Sequence, residues 1–437
     1  MYVPFIRKGK RVNERSAVTS PSQHAFTMKF WFLLTVALAS ILMLFHLHVI
    51  NRHTREAFPF STSRDTWSHD LTSHRSRRTA PPLQSGTNSV TWREEQSKGD
   101  QETHHVFFLK VHKAASTTVL GVMLRFALSR QLAVMLPKRG NVLAEDTKFF
   151  HQNVLRLPEG RSHYDMLCNH LVFEERLIRR TFLHPDAKFL AIVRHPFDQF
   201  ISAFQYYRKV YSVPYLTKIP GRNPIATYLK NPDKWEPINP LTSYTNNRMS
   251  FDFGMKHRYV SNETYVDKYV EYLENTFDLV LVVEMFDESM ILMKRLLGWR
   301  LQDILYIKSN RMHDKQEYFF TNQDRKIHRK LRTADYTLYN HFYKVLRMKI
   351  SAAGPGFFEE VMHFRNIQQN VEKFCLEPKK SLSLFVNSSS WNEAFHVSYL
   401  DCVLFKMEEV ELVDVARRKL GPLDGWPELS SFNALFF

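Results

Sequence analysis

A run of 21 residues without a charged side chain constrains this chain more than any other part of its sequence. It extends from Phe30 to Ile50 and reads FWFLLTVALASILMLFHLHVI. An α-helix needs ~20 consecutive apolar residues to cross the hydrocarbon core of a bilayer. We therefore expect a membrane-anchored protein with a single transmembrane helix.

The charges before the apolar run indicate its orientation. One acid, Glu14, stands against six basic residues: Arg7, Lys8, Lys10, Arg11, Arg15 and Lys29. The positive-inside rule then places residues 1–29 in the cytosol and everything after Ile50 in a lumen or outside the cell. A cleaved signal peptide is the alternative, but signal cores span only ~7 to 15 residues and end in a small-residue cleavage site that this run lacks.

The composition changes after the apolar run. Residues 51–103 are rich in Ser, Thr, Arg, Gln and Pro and hold few large apolar side chains, so they cannot offset the entropy lost on folding. This pattern predicts a flexible stem, followed by a luminal domain over residues 104–437. Two sequons in that domain, at Asn262 and Asn387, would be glycosylated in the secretory lumen.

Charge and cysteine content limit the partners of the domain. Lys and Arg outnumber Asp and Glu by 60 to 44, a net charge of +16, which favours an anionic ligand, nucleic acid or an anionic membrane surface without choosing among them. The three cysteines, Cys168, Cys375 and Cys402, are too few for a disulfide framework and lack the paired spacing of a zinc site. At most one disulfide can form, and we expect it to join Cys375 to Cys402.

The luminal domain shows the alternation of strands and helices that is typical of an α/β fold. Three short runs rich in Val, Ile and Phe indicate buried parallel strands, and a segment with helical spacing follows each. The strands are expected at 105–111, 188–193 and 277–284, and the helices at 117–129, 197–209 and 287–297. The repeat predicts a parallel sheet with crossover helices. Beyond Asn322 the pattern is mostly helical, and we expect this part to pack against one edge of the sheet.

A candidate anion-binding loop lies where the first strand turns into its helix, in KVHKAASTT, residues 110–118. Backbone N–H groups at a helix start attract anions, hydroxyl groups add donors, and Lys113 offers a mobile positive charge. Ala114 and Ala115 stand where a nucleotide-triphosphatase P-loop would have glycines. Taken alone, the segment could equally be a helix N-cap beside an incidental lysine.

A second candidate grip follows the next strand, in RHPFDQFIS, residues 194–202. Arg194, at the carboxyl end of a strand, can bind a phosphate through two hydrogen bonds. Pro196 suits the start of the next helix and leaves Ser202 two turns along it. Loop and helix could then reach one phosphate, although an isolated arginine is more often a surface salt-bridge residue.

Together these segments resemble a known enzyme family. HKAASTT and the later R-x7-S pattern look like the 5′-phosphosulfate and 3′-phosphate loops of sulfotransferases that use 3′-phosphoadenosine 5′-phosphosulfate. More narrowly, the chain resembles the galactose 3-O-sulfotransferases, Golgi enzymes that sulfate terminal galactose of glycolipids and glycans. Four blocks in order carry this resemblance over about residues 104–311: FLKVHKAASTTVLGVMLRF, AIVRHPFDQFISAFQYY, NNRMSFDFG and LVLVVEMFDESMILMKRLLGW.

The resemblance implies a P-loop-like sulfotransferase fold, with a central parallel sheet flanked by helices and preceded by the transmembrane helix. It implies a type II protein of the Golgi membrane with its catalytic domain in the lumen. The acceptor would be a galactose-terminated glycolipid or glycan, with no nucleic acid partner, and homodimerisation through the span stays open. Two groups of residues would hold the donor: Lys113, Ala114, Ala115, Ser116, Thr117 and Thr118 at the 5′-phosphosulfate, and Arg194 and Ser202 at the 3′-phosphate.

The expected catalytic base is His170, which ends a short apolar run between the two loops. Transfer to a sugar hydroxyl needs a base within hydrogen-bond reach, and histidine titrates in the right range. In related carbohydrate sulfotransferases a histidine at a similar place in the chain has this role. His112 competes for it, and a packed or surface histidine is the alternative for His170. Lys113 would stabilise charge on the leaving phosphate, and we expect no metal, since no acidic cluster lies near the loops.

Two further segments and two rival functions stay open. Residues 246–254, NNRMSFDFG, suit a sugar but could equally be a polar loop anchored by two Phe residues. Lys308 and Arg311 could contact the donor, although a solvated basic turn is the safer interpretation. The rivals are a 2-O- or hexosaminyl sulfotransferase of heparan or chondroitin chains, and a non-catalytic glycan-binding protein that has kept the fold.

Overall fold

The computed structural model of the protein describes residues 102–144, 153–181, 184–307, 318–377 and 383–422. All of them belong to the larger of two compact units, which begins at Asn88. The predicted cytosolic tail, the predicted transmembrane helix, nearly all of the predicted stem, and Lys308 and Arg311 lie outside the described residues. Among the helices that are described, none combines the length and the apolarity needed to cross a bilayer.

A parallel sheet forms the centre of the described part. Its strands are β1 Val106–Leu109, β2 Val134–Met135, β3 Met166–Leu167, β4 Lys188–Val193 and β5 Leu279–Val282. The strand order is β2-β3-β1-β4-β5. Phe107 of β1 pairs with Leu167 of β3 on one side and with Phe189 of β4 on the other. The predicted α/β fold with a central parallel sheet is therefore confirmed.

Three of these strands were predicted from the sequence. β4 has the predicted bounds, whereas β1 and β5 are shorter than predicted. After Leu109 the chain no longer pairs with the neighbouring strands and enters a loop, in which Lys113 has a φ of 56°. β2 and β3 hold two residues each, which is too short for a periodic pattern.

Helices cover the sheet and make up most of the remaining described part. They are α1 Ser116–Arg130, α2 Glu175–Thr181, α3 Pro196–Lys209, α4 Pro214–Thr217, α5 Pro224–Lys230, α6 Arg248–Asp252, α7 Glu263–Thr276, α8 Phe286–Leu297, α9 Asn322–Leu331, α10 Thr333–Ala352, α11 Phe357–Leu376, α12 Tyr399–Lys406 and α13 Glu409–Leu420. The predicted crossover helices are α1, α3 and α8, each within one residue of its predicted bounds. α3 begins at Pro196, whose fixed φ suits the first helical position.

The part beyond Asn322 packs as predicted but is not only helical. α10 packs against β5, an edge strand of the sheet, and α13 packs against α1. An antiparallel hairpin, β6 Ser383–Val386 and β7 Phe395–Ser398, follows α11. The last helix therefore returns the chain to the first crossover helix.

The three cysteines and the two sequon asparagines all belong to the described part of the chain. Cys375 of α11 and Cys402 of α12 form a disulfide, which confirms the predicted pairing, while Cys168 is buried and free. Asn262 is exposed at the start of α7, and Asn387 is exposed just after β6. Glycosylation of these two residues stays a prediction.

Candidate functional site

The loop between β1 and α1 turns through two non-glycine residues with positive φ, Lys113 at 56° and Ala115 at 55°. Left-handed backbone costs such residues ~1–2 kcal/mol, so the surrounding structure must hold the loop in place. Ser116 donates its Oγ hydrogen to the carbonyl of Val111 at 2.6 Å. Arg194 donates from Nη1 to the carbonyl of Lys113 at 3.1 Å. These bonds give the loop a defined shape before any ligand binds.

The first turn of α1 is suited to an anion. No side chain caps its start, and the turn contains no acidic residue. Ala114 is fully buried and Ser116 nearly so, while Thr117 and Thr118 are partly exposed. The helix start therefore offers backbone N–H groups and a positive dipole end beside the Lys113 side chain.

The two grips predicted from the sequence meet in the structure. Arg194 follows β4, which lies next to β1 in the sheet, and its bond to the Lys113 carbonyl brings the two loops into contact. Ser202 lies on α3 and is partly exposed. The fold therefore places Lys113, Arg194 and the start of α1 together, and their roles in holding a donor stay predictions.

Tyrosine rings lie beside Lys113 and His112. The Nζ of Lys113 lies 3.5 Å from the ring centroid of Tyr206, and the ring of Tyr211 lies 5.4 Å from that of Tyr206. Tyr207 and Tyr244 stack with their centroids 3.6 Å apart. Aromatic faces beside a few polar groups are typical of ligand sites. These four tyrosines were not predicted as site residues.

A buried network holds His112 beneath the loop. Asp252 accepts hydrogen bonds from the backbone N–H and from Nδ1 of His112, both at 2.8 Å, and Arg248 donates from Nε to Asp252 at 3.0 Å. Burial and the charge of Arg248 hold the pKa of His112 well below its usual range. Burial raises the pKa of Asp252. His112 is thus neutral and firmly oriented beneath the loop.

Residues 246–254 therefore lie behind the loop. Arg248 and Asp252 are 2% and 1% exposed, so neither can line an open acceptor site. Phe251 and Phe253 are buried as well, as expected for a polar loop anchored by two Phe residues. The sequence signal that could have revealed this support was two opposite charges four residues apart, on one face of α6.

His170 lies between two groups of one residue, Lys110. The backbone carbonyl of Lys110 lies 3.0 Å from Nδ1 of His170, and the ammonium of Lys110 lies 2.8 Å from Nε2. Because a carbonyl can only accept, the proton is on Nδ1 and Nε2 accepts from Lys110. The ring also stacks on His112, with centroids 4.1 Å apart. Burial and the charge of Lys110 hold the pKa of His170 well below its usual range.

Glu409 is the main residue of the site that sequence reasoning missed. It lies at the first position of α13, and its carboxylate accepts from Thr117 Oγ1 at 2.6 Å, from Lys110 Nζ at 3.0 Å and from Asn141 Nδ2 at 2.5 Å. Burial opposes its ionisation, but the Lys110 ammonium and the Thr117 hydroxyl outweigh that effect and lower the pKa of Glu409 to about 2. No local pattern marks it, because its partners lie nearly 300 residues earlier in the chain.

The described residues offer no evident metal site. Within that part of the chain, no group of three or more His, Cys, Asp or Glu side chains is arranged to hold a metal ion. The ionisable groups of the site are instead engaged with one another, as the Lys110–Glu409 and His112–Asp252 pairs show.

The sequence of this chain is similar to those of known proteins. The model of the galactose-3-O-sulfotransferase family matches residues 27–387. Galactosylceramide sulfotransferase of Mus musculus is 29% identical over 281 residues, which are 64% of this chain and 66% of that protein. Galactose-3-O-sulfotransferase 2 of Mus musculus is 30% identical over 291 residues, covering 63% of this chain and 71% of that protein. The chain thus spans 66% of the length of the first of these relatives.

Proposed function

Because this chain belongs to the galactose-3-O-sulfotransferase family, we propose that it transfers a sulfuryl group from 3′-phosphoadenosine 5′-phosphosulfate to the 3-hydroxyl of galactose in a glycolipid or glycan. The observation that carries the proposal is the contact between two cationic loops at the carboxyl ends of β1 and β4. Lys113 and Arg194, one from each loop, are joined by a hydrogen bond of 3.1 Å. A nucleotide with an anionic group at each end needs two such grips on one face of a sheet.

The residues present fit this donor. Lys113, Arg194 and the start of α1 supply positive charge for its anionic groups. When bound, the donor supplies the sulfuryl group and a phosphate leaving group.

The side chains of the site then divide the work of an in-line displacement, which depends on positioning and charge stabilisation. Lys113 and the α1 start stabilise negative charge on the phosphate side. His170 is neutral and accepts a hydrogen bond at Nε2. It can take the proton of the acceptor hydroxyl once that hydroxyl replaces Lys110 at this nitrogen. His112, held by Asp252, keeps the loop in register.

An acceptor panel tests the proposal. We expect the full chain to transfer radiolabelled sulfate to galactosylceramide and to lactosyl acceptors, and to leave desulfated heparan unmodified. A 3-O-methyl galactoside should not react, because the attacking hydroxyl is missing. Transfer to heparan but not to galactose, or equal transfer to the 3-O-methyl compound, would rule out the proposed acceptor position.

The pH dependence of transfer offers a second test. Since burial and neighbouring cations lower the pKa of His170, this base stays neutral as the pH falls through ~6.5, the usual histidine value. We expect kcat/KM to remain near its maximum at pH values down to about 6, and to decline only in more acidic buffer. A profile that falls to half at about pH 6.5 would contradict this, because it would indicate a histidine with an ordinary pKa.

We also propose a type II topology in the Golgi membrane, with the span at 30–50 and the described domain in the lumen. The charge-free run and the basic residues before it support this topology. Exposed Asn262 and Asn387 would carry glycans in that compartment. Their mass shift on treatment with an N-glycosidase would report entry into the lumen.

A further inference from the structure

Glu409 makes contacts that the mechanism above does not use. Its side chain is 13% exposed and that of Lys110 only 3%. Beyond the salt bridge to Lys110, its carboxylate accepts from Thr117 of the donor loop and from Asn141. Lys110 in turn donates to His170, the proposed base. One carboxylate therefore joins the two halves of the proposed transfer site.

The helix that carries Glu409 is fixed. α13 packs against α1 through buried apolar residues, among them Leu412, Val413 and Ala416. Packing of this kind is lost only at a cost of several kcal/mol, so the carboxylate cannot leave the site readily. Glu409 is thus a fixed part of the site, and a bound anion would not displace its carboxylate.

Lys110 explains why a negative charge is needed at this place. A buried ammonium without an opposite charge is strongly disfavoured. With the carboxylate present, the Lys110 ammonium is held 2.8 Å from Nε2 of His170, and it stays beside the site when the acceptor hydroxyl takes its place at this nitrogen. Without the carboxylate, the ammonium would turn toward solvent or toward another anion and would no longer lie beside the imidazole.

We propose that Glu409 is a positioning residue for sulfuryl transfer, which anchors the Lys110 ammonium and the Thr117 hydroxyl so that His170 and the donor loop keep their relative places. The inference rests on the proposed function. It makes α13, which lies beyond the residues that the family model matches, a necessary part of the transfer site.

Three variants of the full chain test the inference. Glu409→Gln keeps the shape but removes the charge, Glu409→Asp keeps the charge on a shorter arm, and Glu411→Gln changes an exposed acid on the same helix. For Glu409→Gln we expect kcat to fall by about 10-fold or more, with the donor KM changed by less than about 3-fold. Glu409→Asp should recover part of the loss, and Glu411→Gln should match the wild type. Wild-type turnover by Glu409→Gln would overturn the inference, as would tighter donor binding with faster transfer, which would make Glu409 a competitor of the donor.

The pH profile separates positioning from a purely structural loss. The charged groups that face His170 are Lys110, Glu409 and Asp252, and the titratable ring of His112 stacks on it. Lys110 acts to lower the pKa of His170, and Glu409 acts less strongly to raise it. If the ammonium leaves once the Glu409 charge is removed, the pKa of His170 rises and the acidic limb of kcat/KM should move to higher pH. A lower kcat with an unmoved limb and a reduced melting temperature would instead indicate a loss of folded protein and would refute the inference.

Lysine labelling provides a readout that does not need activity. The full chain is treated with acetic anhydride, and the acetylation of Lys110 is measured by mass spectrometry relative to the exposed Lys218. We expect Lys110 to be labelled at least about 3-fold faster in Glu409→Gln than in Glu411→Gln, because a released ammonium is more exposed. Equal labelling would refute the anchoring. If the wild type transferred sulfate to no galactose acceptor, the proposed function would fail, and this labelling would still decide whether Glu409 anchors Lys110.

Discussion

Lys113→Ala is expected to lower sulfate transfer by ~10²–10³-fold, the scale of removing one preorganised donor from a site of developing charge. The substitution removes the lysine side chain of the loop that leads into the first turn of α1. It leaves the backbone bond from Arg194 to the carbonyl of residue 113 in place. The effect should therefore fall on charge stabilisation and donor affinity more than on folding.

Two measurements on this variant complete the test. Calorimetry with adenosine 3′,5′-bisphosphate should show affinity reduced by about 10-fold or more, since one charge-assisted contact is lost. Lys218→Ala, at an exposed lysine remote from the loop in sequence, is the matched control and should behave as the wild type. If the wild-type chain bound no bisphosphate at all, a non-catalytic protein of the same fold would become the better interpretation.

His170→Ala is expected to lower transfer by ~100-fold or more while the affinity for the bisphosphate stays within a few-fold of the wild type, as for loss of a general base. The structural reason is that His170 bonds to Lys110 and stacks on His112, whereas the proposed donor grips are Lys113, Arg194 and the start of α1. Single-turnover rates and calorimetry separate the two effects.

His163→Ala is the control for this variant, because His163 is an exposed histidine in the segment that leads to β3. Normal turnover by His170→Ala would transfer the role of base to another residue. His112 would then be the first candidate, since its Nδ1 is held by Asp252 as in enzymes where a carboxylate orients a catalytic imidazole.

The parts of the site that could be predicted are those in which function depends on a short stretch of chain. The KVHKAASTT loop, Arg194 and the start of α3 each follow a continuous apolar strand, so pattern and chemistry coincide within a few residues. Parallel order then brings the two loops to the same edge of the sheet. For this reason the sequence could predict that the two loops lie near each other, but not the hydrogen bond between Arg194 and the Lys113 carbonyl.

The remaining parts depend on contacts between distant segments. Glu409 begins a helix whose packing against α1 has no signature in either helix alone. Asp252 belongs to a five-residue helix, and its partner His112 lies 140 residues earlier in the chain. A polar residue that will be buried and paired looks the same in sequence as a solvated one, because the pairing is a property of the folded chain.

The disulfide between Cys375 and Cys402 also affects how the protein can be produced. Cys402 lies in α12, and only Met407 and Glu408 separate that helix from α13, which carries Glu409. The bridge thus ties the segment just before Glu409 to α11. Thiols stay reduced in the bacterial cytoplasm, so recombinant chain made there would lack this tie. Material from an oxidising host compartment is the better starting point for enzymology.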